Sequence, residues 1–131
     1  MYAAYLGQWE PVRKQFTTNW QGYWQAYHWM FTIALIAASL DVATTIYFMH
    51  LEGPAEEVHP VIRNISLLIG PTIGPMIGKS LQLASLMLVT IYLRSLAGYI
   101  YFTTIAMYTW ASWYNLWGRD LYTPFFMPLF V

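Results

Sequence analysis

The side chains able to do chemistry fall into two sets. The first lies inside apolar sequence. The stretch from Tyr27 to Leu51, YHWMFTIALIAASLDVATTIYFMHL, holds one charged residue, Asp41, with Thr44 and Thr45 three and four residues further on. On a helix those spacings share a face. The stretch from Met76 to Leu93, MIGKSLQLASLMLVTIYL, also holds a single charge, Lys79. An ionised group at the centre of a span costs about 2.5 to 3.5 kcal/mol on insertion scales, so each of these two calls for a partner. Counted from the membrane face they share, Asp41 is ten residues from Leu51 and Lys79 three from Met76. At about 1.5 Å per residue that is a depth difference of roughly 10 Å, and a Lys stem covers about half of it. An Asp41–Lys79 pair is therefore permitted but not forced. Such a pair reads as a proton or ion site, or as a neutralised pair that fixes helix register.

The second set sits at one end of the first apolar stretch, where His50, Glu52, Glu56, Glu57 and His59 fall within ten residues. Imidazole and carboxylate suit zinc, copper or iron, which makes His50, Glu56, Glu57 and His59 a candidate metal set. The spacing matches no His-x-x-x-His pattern, and Pro54 and Pro60 leave the loop geometry open. The competing reading is a solvated acidic loop. His28, between Tyr27 and Trp29, is the remaining imidazole. Pigment ligation there or at His50 is disfavoured by Trp24 and Ile46, which stand one turn before them and fill the room a macrocycle needs. No Cys is present, which excludes a disulfide framework, a Cys zinc site and a Cys nucleophile. There is no Gly-rich phosphate loop, no His-Glu-x-x-His and no Ser, His and Asp set in a known context, so no enzyme activity is expected.

The elements that must position these residues are membrane helices. Of 131 residues, 58% are hydrophobic and only 9% charged, with zero formal net charge. A soluble domain carries about 25% charged residues. So few charges cannot cover a soluble surface, and a neutral chain has no basic face for nucleic acid. Runs of about 20 apolar residues cross a hydrocarbon core. The sequence predicts an all-α, integral membrane protein of three transmembrane helices, at about 27–51, 76–93 and 96–113. The break at Arg94-Ser95, with Gly98 behind it, fits a tight helical hairpin. Between the first two spans, Gly53, Pro54, Pro60, Gly70, Pro71, Gly74 and Pro75 punctuate the chain. They leave room for a short interfacial or re-entrant helix at about 61–70. All 131 residues read as one membrane domain. Residues 1–26, with Tyr2, Tyr5, Trp9, Phe16, Trp20, Tyr23 and Trp24, read as an interfacial segment, because Trp and Tyr gather at headgroup level. Residues 114–131 read as an apolar tail, broken by Pro124 and Pro128, that packs on a neighbour or in the interface.

Small residues mark a packing seam. Ala34, Ala37, Ala38, Asp41 and Thr45 lie along one broad face of the first helix. The second offers Gly78, Ser80, Gln82 and Ser85 as the expected complement. Lys and Arg in short loops set orientation. Arg13, Lys14 and Arg94 on one side against Arg63 and Arg119 on the other favour a cytoplasmic amino terminus, in what reads as a bacterial inner membrane.

Asp41-Val-Ala-Thr44-Thr45, then Glu57-Val-His-Pro60, then Lys79 resembles an uncharacterised group of small bacterial and archaeal membrane proteins. Their shared pattern is Asp-x-x-Thr-Thr, Glu-x-x-Pro and a later Lys. The resemblance covers about residues 30–95 and implies a multi-helix membrane domain with Asp41, Thr44, Thr45, Glu57, Pro60 and Lys79 as its shared polar positions. Members of the group often carry Asn before the Pro, where this chain has His59.

The third predicted helix is aromatic around its whole girth, with Tyr99, Tyr101, Phe102, Tyr108, Trp110 and Trp113. Tyr101 and Tyr108 lie at depth, where a hydroxyl needs a partner. Tyr101, Tyr108, Trp110 and Trp113 are thus candidates for contact with another protein or a cofactor. The sequence requires no cofactor, but contact with lipid, quinone or pigment is compatible with it. The function expected is a non-catalytic accessory subunit of a larger integral-membrane complex of the bioenergetic type. A small ion- or proton-conducting oligomer using Asp41 and Lys79, and a metal-binding subunit using the His50–His59 loop, are the alternatives.

Overall fold

A computed structural model describes residues 2–118. The expected tail beyond them, with Pro124 and Pro128, and Arg119, used for orientation, lie outside the described residues. Among the described residues the chain is all-helical: α1 (Tyr2–Trp20), α2 (Tyr23–Glu52), α3 (Pro60–Ile69), α4 (Ile73–Tyr92) and α5 (Ala97–Trp113). A single 3₁₀ turn follows α2 and another follows α4, and α5 runs on into a π-helical turn, Tyr114–Gly118.

Sequence explains the boundaries. α2 runs 30 residues because no Gly or Pro interrupts it. It stops at Gly53, whose φ of 96° suits only glycine, and Pro54 follows. α3 begins with Pro60 in its first turn, where a missing N–H costs nothing, and with the His59 ring accepting from Ile62 N. Gly70, at φ 100°, ends it. These limits lie close to the expected ones, with two shifts. α2 starts four residues before Tyr27, and α4 starts three before Met76. The amino-terminal segment is a continuous helix that accommodates Pro11.

α2 and α4 are long and apolar enough to cross a membrane. α5, the third expected span, has 17 residues and does not join them by length and composition. α2 packs most extensively along α5, and α3 lies along α4. Tyr23, Ala34, Leu86, Ile91 and Tyr101 form the larger core cluster, and Phe48, Met49 and Ile62 the smaller. α1 is tied to the end of α4: Gln15 and Asn19 donate to Tyr92 O at 3.1 and 2.8 Å. Arg94 donates in return to Asn19 O and Gln21 O.

Candidate functional site

The two charges inside the apolar stretches meet. Lys79 Nζ lies 2.5 Å from Asp41 Oδ2, and the two residues are 6% and 5% exposed. The earlier start of α4 explains how. α4 begins at Ile73, so Lys79 stands six residues into its helix where a start at Met76 puts it three, and its stem has less distance to cover.

Each member of the pair has further support. Thr45 Oγ1 donates to Asp41 Oδ1 at 3.5 Å. Thr44 Oγ1 donates to the Asp41 carbonyl at 3.0 Å. Asn115, in the turn after α5, donates Nδ2 to Thr44 Oγ1 and Thr45 Oγ1 at 3.2 and 3.0 Å. On the other side the Lys79 ammonium stands over the Tyr108 ring, 4.0 Å from its centroid. A ring face at that distance attracts a cation by its quadrupole. The Tyr108 hydroxyl donates to Gln82 Oε1 at 3.4 Å, and the Gln82 amide nitrogen lies 3.3 Å from His59 Nε2. One polar cluster therefore joins α2, α4, α5 and the loop before α3. Its ionised members cancel, which is what a buried pair requires if it is not to leave a bare charge.

The expected seam is corrected in part. Ala34, Ala37, Ala38, Asp41 and Thr45 are buried as one face, but α5, rather than α4, is the principal partner of α2. Of the complement expected on α4, Ser80 and Ser85 are exposed. Gly78 faces α3: a Cβ there would meet Ile62 Cγ1 at 2.9 Å. The small residues at the start of α4 make room for the short helix and not for the long one.

The residues of the proposed metal loop are not assembled. Among the described residues no group of three or more His, Asp or Glu is placed to hold a metal ion. His50 Nε2 bonds Thr72 Oγ1 at 2.9 Å, while His59 is engaged at the start of α3 and Glu57 Oε1 accepts from His59 N at 2.9 Å. The two imidazoles thus serve different helix junctions. His28 is held by its own helix, with Nδ1 2.9 Å from Trp24 O. Pro60 sets the first turn of α3 and contributes geometry only.

The four aromatics proposed for outside contact divide. Tyr101 is fully buried, and its hydroxyl lies 2.7 Å from Tyr23 OH, which is itself 2.5 Å from Thr90 Oγ1. Tyr101 therefore closes an internal hydroxyl triad and reaches no partner, a correction to the expectation. Tyr108 is half-buried against Lys79. Trp110 is 55% exposed, and its ring lies against that of half-buried Trp113, centroids 5.1 Å apart. Thr90 and Asn115 were not singled out in the sequence, and Tyr23, expected among the interfacial aromatics, is instead fully buried at the start of α2. Asn115 carried a signal, being the lone amide in the aromatic run ASWYNLW. Thr90 carried none, and nothing local pointed Tyr23 inward, since the partners of both are remote in sequence.

No family model, no curated protein and no solved structure matches the chain. The resemblance to small membrane proteins rests on the motif residues alone.

Proposed function

We propose that the chain is a non-catalytic accessory subunit of a larger integral-membrane complex. It fills gaps between subunits and holds a lipophile such as lipid or quinone. One observation carries this reading. Among the described residues the buried Asp41, Lys79, Tyr23, Thr90 and Tyr101 find polar partners inside the bundle, while α5 and the turn after it leave Tyr99 and Phe102, each 76% exposed, together with Met107, Trp110 and Trp117, on the outside. Large amphipathic rings are the side chains enriched where membrane proteins meet partners and headgroups. Photosynthetic reaction-centre–antenna, respiratory and copper monooxygenase assemblies are hosts of the right type, in a bacterial inner membrane.

In this reading α5 is a third span. Residues 97–118, helix plus π-turn, hold no charged residue, and 22 residues at about 1.5 Å each reach roughly 33 Å. α1 lies in the interface: Val12, Phe16, Trp9 and Trp20 recur along one stripe, with Arg13, Lys14, Thr17 and Thr18 beside it. Arg13, Lys14 and Arg94 then share the cytoplasmic side. Extraction of native membranes in mild detergent tests the proposal. Migration with a large complex is expected; migration only at monomer mass sinks it.

A second reading is a small oligomer conducting protons or ions through the Asp41–Lys79 site. It is favoured by the continuity of the polar cluster from Asp41 to His59 at the loop. Liposome flux falling sharply in Asp41→Asn would support it, and no flux in the parent protein would remove it.

A further inference from the structure

The exposed ring of His59 meets an N–H group on each side. Ile62 N donates to Nδ1 at 3.5 Å, and the Gln82 amide nitrogen lies 3.3 Å from Nε2. A neutral imidazole has one acceptor nitrogen, and an imidazolium has none. The helix backbone fixes the Ile62 donor. The Gln82 amide can turn end for end and offer its oxygen to Nε2–H. The Tyr108 hydroxyl beyond it both donates and accepts, so it takes either end of that amide. Neutral His59 therefore suits both neighbours, and the cation suits Gln82 alone.

The contact that the cation loses lies where α3 has few others. Pro60 has no N–H, and Arg63 N is bonded to His59 O at 2.9 Å. Among the described residues the His59 ring is the side-chain acceptor for that first turn. α3 has 10 residues, a length at which a helix depends on its caps and its packing. A cation at a helix amino terminus also opposes the macrodipole. The charged and titratable groups around the ring come from every neighbouring element. Glu56 and Glu57 lie in the loop, Glu52 ends α2, and Arg63 stands one turn into α3. Lys79 of α4 and Tyr108 of α5 lie behind Gln82. Of the loop carboxylates, Glu57 is engaged with His59 N rather than with Ile62 N. His50 behaves differently. Its partner, Thr72 Oγ1 at 2.9 Å, can donate or accept and so meets the neutral ring and the cation alike.

We infer that His59 is an acid-sensitive cap: proton uptake by its ring releases the Ile62 N–H and opens the first turn of α3. Imidazole is the side chain whose charge changes between about pH 5 and about pH 8. The inference holds whether the chain is an accessory subunit or conducts ions.

The test follows amide and imidazole resonances of the full chain in detergent micelles from about pH 8 to about pH 5. The Ile62 amide shift should move with the same midpoint as the His59 ring. Protection of the first turn of α3, measured against the rate of an unstructured chain at each pH, should fall about fivefold, the size of a lost cap. His59→Asn supplies an oxygen acceptor that does not titrate and is itself a favoured cap, so both readouts should stay flat. His50→Gln should leave the parent response in place. An Ile62 amide that does not follow the His59 ring overturns the inference. So does an equal loss of protection in His59→Asn, or a response abolished by His50→Gln.

Discussion

At the residue scale, the ion pair is a matter of mutual dependence. Taking two charges out of water costs several kcal/mol each, and only their meeting offsets it. Lys79→Met is therefore expected to destabilise the protein by about 3–5 kcal/mol, since it leaves the Asp41 carboxylate buried without a counter-charge. Adding Asp41→Asn should restore most of that loss. Chemical denaturation of the single and double variants in the same detergent checks it; a double variant no more stable than Lys79→Met would refute the account. The hydroxyl triad makes a smaller claim. Tyr101→Phe removes one partner of Tyr23 and leaves the Thr90 contact, so it should cost about 1 kcal/mol in the same assay. Asn115→Ala removes two donors to Thr44 and Thr45, and a loss of about 1–3 kcal/mol is expected.

At the element scale, α3 is held to α4 by closeness of backbones. A Cβ on Gly74 would fall 2.5 Å from Ser66 Cα, a position backbone cannot vacate without moving the helix. Gly78 repeats the arrangement one turn on, against Ile62. Gly74→Ala should therefore loosen α3 from the bundle while α2, α4 and α5 stay paired. Hydrogen exchange should show faster exchange across Pro60–Ile69 and little change in α2. Unchanged exchange in α3 would mean that the close approach is not what holds it. The short helix was legible in sequence from its flanking Pro and Gly residues. Its partner was not, because a glycine in an apolar helix signals close approach without saying what approaches.

At the scale of the whole molecule, the question is whether α5 crosses. An odd number of spans places the two chain ends on opposite sides of the membrane, an even number on the same side. Reporter fusions at residue 1 and after residue 131 are expected to report opposite sides, with the amino terminus on the cytoplasmic side that the three-against-two bias of Arg13, Lys14 and Arg94 over Arg63 and Arg119 favours. Ends on one side would leave α2 and α4 as the only spans and place α5 in the interface.

The sequence by itself determined the helical class, the limits of α2 to α5 to within about four residues and the presence of two charges inside apolar segments, but not that residues 2–20 form a helix of their own. It could do so because span length, Gly and Pro breaks and the cost of a buried charge are local properties of the chain. Tertiary structure decided that Asp41 meets Lys79, that Tyr101 turns inward to Tyr23, that Gly78 serves α3, and that His50 and His59 part to different junctions. Each depends on helix depth and rotation. A slide of one helix past another by three residues is about 4.5 Å, and depth and rotation are fixed only when all the helices pack together.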